Sequence, residues 1–296
     1  IKESPMHYAD YKTVLSSGNT MNLYRGCSHG CIYCDSRSVC YQIHHPFEDI
    51  EVKRGAAAIL DDQLRRRRKR AMIRTGSMCD PYIPLEEELR LTRQCLEVIL
   101  RHGFGLTILT KSDRILRDMD LLQAIHRRQK CVVCMTLTTF DEALCRKLEP
   151  NVCTTAARVQ VLSECRRRGI PTVVWMSPIL PFINDTEANI RGLLSYCIDA
   201  GVHGIVNFDM GLTLREGDRE YFYAQLDRLF PGLKQRYIEA FGLRYECVSP
   251  HNDRLMAIFT EACQTHGILC DPDAVFRYMH TLPEAPPQLS LFDLME

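Results

Sequence analysis

The segment Asn22-Leu23-Tyr24-Arg25-Gly26-Cys27-Ser28-His29-Gly30-Cys31-Ile32-Tyr33-Cys34 places three cysteines in one short loop, spaced by three and then two residues. Three thiolates at this spacing suit three corners of a cubic 4Fe–4S cluster. Four irons and three ligands leave one iron open, which marks a reaction site rather than an electron wire. The competing reading is a structural zinc site with Cys40, His29, His44 or His45 as fourth ligand. Zinc loops usually bring a second cysteine pair. The available one, Cys131 and Cys134, falls in a strand-like run where residues three apart point to opposite faces.

Outward from this loop, short β-branched runs alternate with longer amphipathic segments, the pattern of βαβ units. Strands are expected at Met21–Tyr24, Ala71–Thr75, Leu106–Thr110, Val132–Leu137, Thr172–Met176 and Gly204–Phe208, with helices near 55–69, 86–102, 113–128, 154–168 and 186–200. Six such units are too few to close an eight-stranded barrel. The expected fold is therefore α/β, a partial (β/α)6 TIM-like barrel over 21–210 behind an N-terminal arm (1–20). Beyond Asp209 the alternation stops. Helices at 217–229, 232–241, 251–266 and 271–280 form a C-terminal extension (211–281) covering the open side or base. Residues 282–296 read as a flexible, proline-rich tail.

The 296 residues carry 37 Lys plus Arg against 37 Asp plus Glu, so no global field draws the protein to nucleic acid or membrane. No apolar run is long enough to span a bilayer, and the opening residues, which lack Met and read as a trimmed start, carry no signal-peptide pattern. Fifteen cysteines, an odd number, argue for reduced thiols and a cytoplasmic location rather than a disulfide framework.

The cysteine loop, with an aromatic residue just before its third cysteine, resembles that of the radical S-adenosylmethionine (radical SAM) superfamily. The string Asn22–Cys34 is similar to the branch related to spore photoproduct lyase, often labelled DNA repair photolyase-like. Gly76-Ser77-Met78-Cys79-Asp80-Pro81-Tyr82, Leu109-Thr110-Lys111-Ser112, Leu148-Glu149-Pro150 and Ser177-Pro178-Ile179-Leu180-Pro181 agree with that branch. The resemblance runs from about 5 to 270. It implies a radical SAM enzyme in which Cys27, Cys31 and Cys34 hold the cluster and the open iron takes the amino and carboxylate groups of SAM. A 5′-deoxyadenosyl radical then attacks an unreactive C–H bond, with DNA as the favoured substrate. Small-molecule, peptide and RNA substrates, and a non-catalytic electron-transfer or scaffold role, are the alternatives.

The resemblance also suggests cofactor contacts. Tyr33 is expected against adenine or simply packing the loop, and Gly76 and Ser77 at the SAM amino group. Lys111 is expected at the carboxylate, since a cation at a helix start opposes the dipole. Thr136, Thr138 and Thr139 are candidates for the ribose or methionine end, though strand propensity alone explains threonines there. Arg158 is a second carboxylate candidate, against a reading as a surface helix arginine. Cys79 sits in the loop where the lyase keeps a hydrogen-donating cysteine. Its register is shifted, because the lyase pattern is Cys-Thr-Ser-Asp and Cys79 abuts Asp80 directly. The lyase also has tyrosine after its third cluster cysteine, where this chain has Asp35. Cys247, Cys263 and Cys270 are either a second cluster site or scattered core thiols.

Two features point toward nucleic acid. Arg65-Arg66-Arg67-Arg68-Lys69-Arg70 ends the first long helical pattern, on the side expected to lie away from the active face. Gln288-Leu289-Ser290-Leu291-Phe292 resembles the peptide by which bacterial repair and replication proteins dock on the polymerase sliding clamp. A flavodoxin- or ferredoxin-type protein is the expected electron donor, and no membrane partner is expected.

Overall fold

The computed structural model describes residues 5–283. Six parallel strands stand in sequential order: β1 (Thr20–Met21), β2 (Met72–Thr75), β3 (Gly105–Thr110), β4 (Cys131–Thr136), β5 (Thr172–Trp175) and β6 (Gly204–Val206). Helices α1 (Ala56–Arg65), α2 (Leu91–His102), α3 (Met119–Arg128), α4 (Thr155–Arg167) and α5 (Glu187–Ala200) connect them. Parallel neighbours need such crossovers, and sequential order keeps the crossovers in one layer.

Strand alternation sorts the core into two faces. Ile73, Val133, Val174 and Ile205 pack with helix residues such as Leu96, Ile99, Leu122, Val161 and Leu193. Met72, Val132, Cys134, Val173 and Val206 face the other way, onto Val275 and Met279 of the last helix (Pro272–His280). Cys131 and Cys134 accordingly lie in different clusters, as their spacing in a strand requires. The sheet stays open: among the described residues β1 pairs within it only with β2, and the far edge of β6 is covered by Leu269. Ile205 N donates to Leu269 O (2.8 Å) and Leu269 N to His203 O (3.1 Å). An irregular segment thus satisfies the edge that a closed barrel would have paired. This is the α/β architecture expected for a partial (β/α)6 barrel.

The C-terminal extension contains α6 (Asp218–Leu229), α7 (Leu233–Phe241), α8 (Asn252–His266) and α9 (Pro272–His280). It is integral to the core. Phe222, Leu226, Tyr237 and Phe241 of α6 and α7 pack on Cys31, Ile32 and Tyr33 of the cysteine loop. Full burial of each such side chain stabilises by about 1.5–3 kcal/mol.

Several boundaries differ from the sequence reading. The chain leaves β1 after Met21, and Tyr24–Arg25 pairs antiparallel with Ile50–Lys53, which also pairs parallel with Met6–Ala9. A second small ladder joins Gly211–Thr213 to Glu246–Val248, where only helices were expected. Strands of two to four residues are too short to show alternation. The helix expected over 55–69 ends at Arg65, so Arg66–Arg70 form the connection into the N-terminal end of β2. The helix over 86–102 is split at Arg90, whose φ is +48°. The stretch 113–128 opens as a 3-10 turn over Asp113–Asp118.

Candidate functional site

The cysteine loop leaves the central sheet just after β1 and is tied down on both flanks. Cys27 N donates to Phe47 O (3.0 Å), Ile32 N to Leu148 O (3.0 Å), and Asn151 to the carbonyls of His29 and Ser28 (3.1 and 3.0 Å). Gly26 makes the first tie possible. Its φ is +86°, and a Cβ there would sit 2.5 Å from Phe47 O. Cys27 and Cys31 are buried and Cys34 is half-buried.

The donor set tests what the loop can hold. Cys27, Cys31 and Cys34 line one cavity and offer three thiolates, the ligand chemistry that an iron–sulfur cluster uses. Of the histidines weighed as a fourth zinc ligand, His45 groups with His7 and Glu51 instead.

A cavity of about 600 Å³ opens beside the three cysteines, above the C-terminal ends of the strands. Tyr33, Gly76, Ser77, Cys79, Lys111 and Thr136 all line it, as do His29, Asp80, Trp175, Phe208, Asp209, Arg215 and Tyr245. The volume lies within the range that encloses a cofactor-sized ligand. Gly76 has φ +100°, and a Cβ would fall 1.9 Å from Leu109 O, so the loop after β2 can cross the end of β3 only with glycine there.

Asp80 organises this face. Its carboxylate accepts from Tyr82 N (2.8 Å), Thr110 Oγ1 (2.7 Å) and Lys111 N (2.8 Å), and lies 3.5 Å from His29 Nδ1. His29 is 2% exposed, and its Nε2 has no partner among the described residues. Burial alone would lower His29, but the negative charges of Cys27 and Asp80 outweigh it and raise it. Cys79 donates to Gly26 O (2.8 Å). The neighbouring Cys79 and His29 draw Cys27 below the ordinary thiol range against the cost of burial, whereas Cys27 and burial hold Cys79 above it.

Lys111 Nζ makes no hydrogen bond or ion pair among the described residues. It stands 5.7 Å from the centroid of the Tyr33 ring. Burial would lower it, but the charges on Cys31 and Glu149 hold it above its ordinary value.

Two expected contacts are corrected. Arg158 is neither a surface arginine nor available to a cofactor carboxylate. It is wholly buried, with Nη2 2.5 Å from Glu149 Oε2 and 2.7 Å from Cys153 O, and Nη1 2.9 Å from Thr136 O. Tyr33 donates to the same Glu149, so the tyrosine packs the loop as well as lining the cavity. Thr138 does not reach the cavity either. Beyond β4 the chain turns inward: Thr138 Oγ1 meets Thr139 Oγ1 (3.3 Å), and its carbonyl accepts from Asn184 and Asn189 (2.9 Å each). The thiols weighed for a second cluster do not converge: Cys247 packs with Tyr237, whereas Cys263 lies against Cys270 and Cys197. Asp80, Trp175, Phe208, Arg215 and Tyr245 were not picked out as individual site residues. Trp175 is the lone tryptophan, but Arg215 and Tyr245 come from the extension and carry no spacing signal.

The described residues contain no helix long and apolar enough to cross a membrane. Comparison with known proteins bears on the rest. The family model for the Radical SAM superfamily matches residues 21–194. An uncharacterized protein of Mycobacterium tuberculosis is 32% identical over 228 residues, and the match spans 75% of this chain and 66% of that protein, just under two thirds of its length. The radical SAM Nα-GlyT isomerase of Pseudomonas phage M6 is 26% identical, over 62% of this chain and 37% of the isomerase. Among solved structures, spore photoproduct lyase complexed with dinucleoside spore photoproduct shares the fold at a TM-score of 0.62 and 14% identity, over 90% of this chain and 81% of the lyase. The family match takes in all three loop cysteines, Gly76, Ser77, Lys111 and Thr136: this chain belongs to the radical SAM superfamily.

Proposed function

We propose that Cys27, Cys31 and Cys34 hold a 4Fe–4S cluster whose open iron binds SAM, and that the enzyme acts on DNA in lyase-like repair or base chemistry. The observation carrying the cofactor part is convergence: the three cysteines, Ser77 with its glycine-dependent loop, and the unpaired Lys111 ammonium line one cavity. When bound, the cluster and SAM supply a 5′-deoxyadenosyl radical by one-electron cleavage of the sulfonium. The protein's own groups do the rest. Lys111 receives a carboxylate as a compact, half-buried charge. Ser77 offers a hydroxyl to an amino group. Tyr33, held by Glu149, walls the cavity against water. Cys79, a buried thiol on the same wall, offers the hydrogen atom of its S–H bond to a substrate radical.

The cavity mouth supports the DNA reading. Phe208 is 54% exposed and stands edge-on to Trp175, with ring centroids 6.3 Å apart; Tyr245 is 43% exposed and hydrogen-bonds Arg215 Nη2 (2.7 Å). Exposed aromatic faces beside an arginine suit a nucleobase with its phosphate. The solved lyase complex with its dinucleoside and the phage isomerase belong to the same superfamily setting. The test is anaerobic turnover with dithionite, SAM and deuterated DNA. Deuterium in 5′-deoxyadenosine from DNA, and not from RNA or peptide, is expected; transfer only from another class would refute the DNA reading. Cys79→Ala should keep SAM cleavage and change the product distribution.

The clamp-like peptide Gln288–Phe292 lies outside the described residues. It is proposed to dock the enzyme on the sliding clamp with roughly micromolar affinity, lost when Leu291 and Phe292 become Ala. The reducing electron is proposed to come from a flavodoxin- or ferredoxin-type protein.

A further inference from the structure

Away from the cavity, the small sheet of Met6–Ala9, Ile50–Lys53 and Tyr24–Arg25 carries a second cluster of chemistry. His7 and Glu51 are register partners on adjacent parallel strands, so their side chains share a face. His45 reaches the same face from the loop before Ile50, its ring edge-on to His7 with centroids 4.9 Å apart. The Nε2 atoms of His7 and His45 lie 3.8 and 4.0 Å from Glu51 Oε2, and one ligand atom from each of the three residues falls within 4.8 Å of the other two.

The outer contacts of each ligand define which atom is left over. His7 Nδ1 is 3.1 Å from Asp49 Oδ1, and His45 Nδ1 is 3.0 Å from Pro46 O. A backbone carbonyl only accepts, so His45 Nδ1 carries its hydrogen, and the carboxylate beside His7 favours the same tautomer. Both Nε2 atoms are then bare lone pairs directed toward a carboxylate oxygen. Glu51 Oε1 is engaged by the Tyr11 hydroxyl, with Arg25 Nε 3.7 Å away, which leaves Oε2 toward the rings. His45 Nε2 is buried without a hydrogen-bond partner among the described residues. Three acceptors that face one another, with the two ring Nδ1 atoms anchored by acceptors and Glu51 Oε1 anchored by donors, form the pattern of a metal site with its outer shell in place.

We propose that His7 Nε2, His45 Nε2 and Glu51 Oε2 bind one divalent late first-row transition ion, zinc in the first instance, with water in the fourth position. Two imidazoles and one carboxylate match zinc's preferred ligands. Tetrahedral bonds of about 2.0–2.1 Å need ligand atoms roughly 3.4 Å apart. The two spacings to Glu51 Oε2 close to this with shifts of about half an ångström, which the partly exposed His7 side chain can make. None of the three residues lines the cofactor cavity. The ion would clip the N-terminal strand to the segment 45–51, whose Phe47 carbonyl receives the N–H of Cys27.

The test uses the full chain with its cluster reconstituted anaerobically, so that the loop cysteines are occupied, followed by zinc addition and desalting. One zinc per chain is expected on top of the iron, with X-ray absorption showing nitrogen and oxygen neighbours and no sulfur at about 2.3 Å. His45→Gln and Glu51→Gln should each lower zinc affinity at least tenfold with iron content unchanged, which also reports that the variants fold. Asp49→Asn should lower it about 10–100-fold. Zinc bound through sulfur, absence of retained zinc, or retention unaffected by His45→Gln would each overturn the proposal.

Discussion

The cysteine loop faces two neighbourhoods, and they treat buried charge in opposite ways. Behind it, Arg158, Glu149 and Tyr33 form a closed set in which the guanidinium meets a carboxylate and two backbone carbonyls. In front of it, Lys111 and His29 line the cavity, and the buried His29 Nε2 has no hydrogen-bond partner among the described residues. A satisfied network positions; an unsatisfied one awaits a ligand. The contrast makes Arg158 architectural and leaves Lys111 available for the binding role proposed above, although both are basic.

The sharpest break of this contrast is at the loop itself. Replacing any of Cys27, Cys31 or Cys34 by Ala should cut bound iron from about four per chain to near zero and abolish SAM cleavage, because two thiolates cannot retain the cluster. Iron analysis and 5′-deoxyadenosine release check both. Retained iron in all three variants would move the metal site elsewhere.

Arg158→Met attacks the rear network next. Stranding the Glu149 carboxylate in the core should cost about 3–5 kcal/mol in chemical denaturation. Adding Glu149→Leu to Arg158→Met should recover much of that loss, since no charge is then left unpaired. Lys111→Met should do the reverse: stability within about 1 kcal/mol of the parent, and SAM affinity down roughly 10–100-fold, the worth of one charge-assisted hydrogen bond. If Lys111→Met destabilised the protein as much as Arg158→Met, the division between the two neighbourhoods would fail.

The same contrast explains what the sequence could and could not reveal. Cys27, Cys31 and Cys34 stood out because their close spacing lies within one loop. The six strands were legible because βα alternation is periodic. Arg158 was misread because its helix has a weakly amphipathic pattern, and only the fold shows that Glu149 is waiting beneath it. Thr138 was misplaced by two residues of strand end, the difference between facing the cavity and turning into the core. Arg215 and Tyr245 arrive at the mouth through tertiary packing of the extension, and no local pattern announces that. The ladder between Gly211–Thr213 and Glu246–Val248 likewise joins segments that show no local alternation.

The smallest effect tests whether the rear support is itself fully satisfied. Asp218, at the start of α6, is 2% exposed, and its Oδ2 has no hydrogen-bond partner among the described residues. Burial first, then the negative charge of Asp35 at the cavity, push its carboxyl up to about 6, despite the opposing hydrogen bond from Arg215 N. An acid whose value is raised by folding is harder to ionise in the native state, so the folded protein holds more protons between about pH 4 and 6, and stability falls as pH rises through that window. Asp218→Asn removes the ionisation but keeps an oxygen for Arg215 N, while its buried N–H₂ gives back part of the gain. The variant should therefore match the parent near pH 4 and exceed it by on the order of 1 kcal/mol at pH 7.5 in urea denaturation. Equal stabilities at both pH values would show that Asp218 is as well satisfied as Glu149, and that the uncommitted groups around the loop are confined to its cavity side.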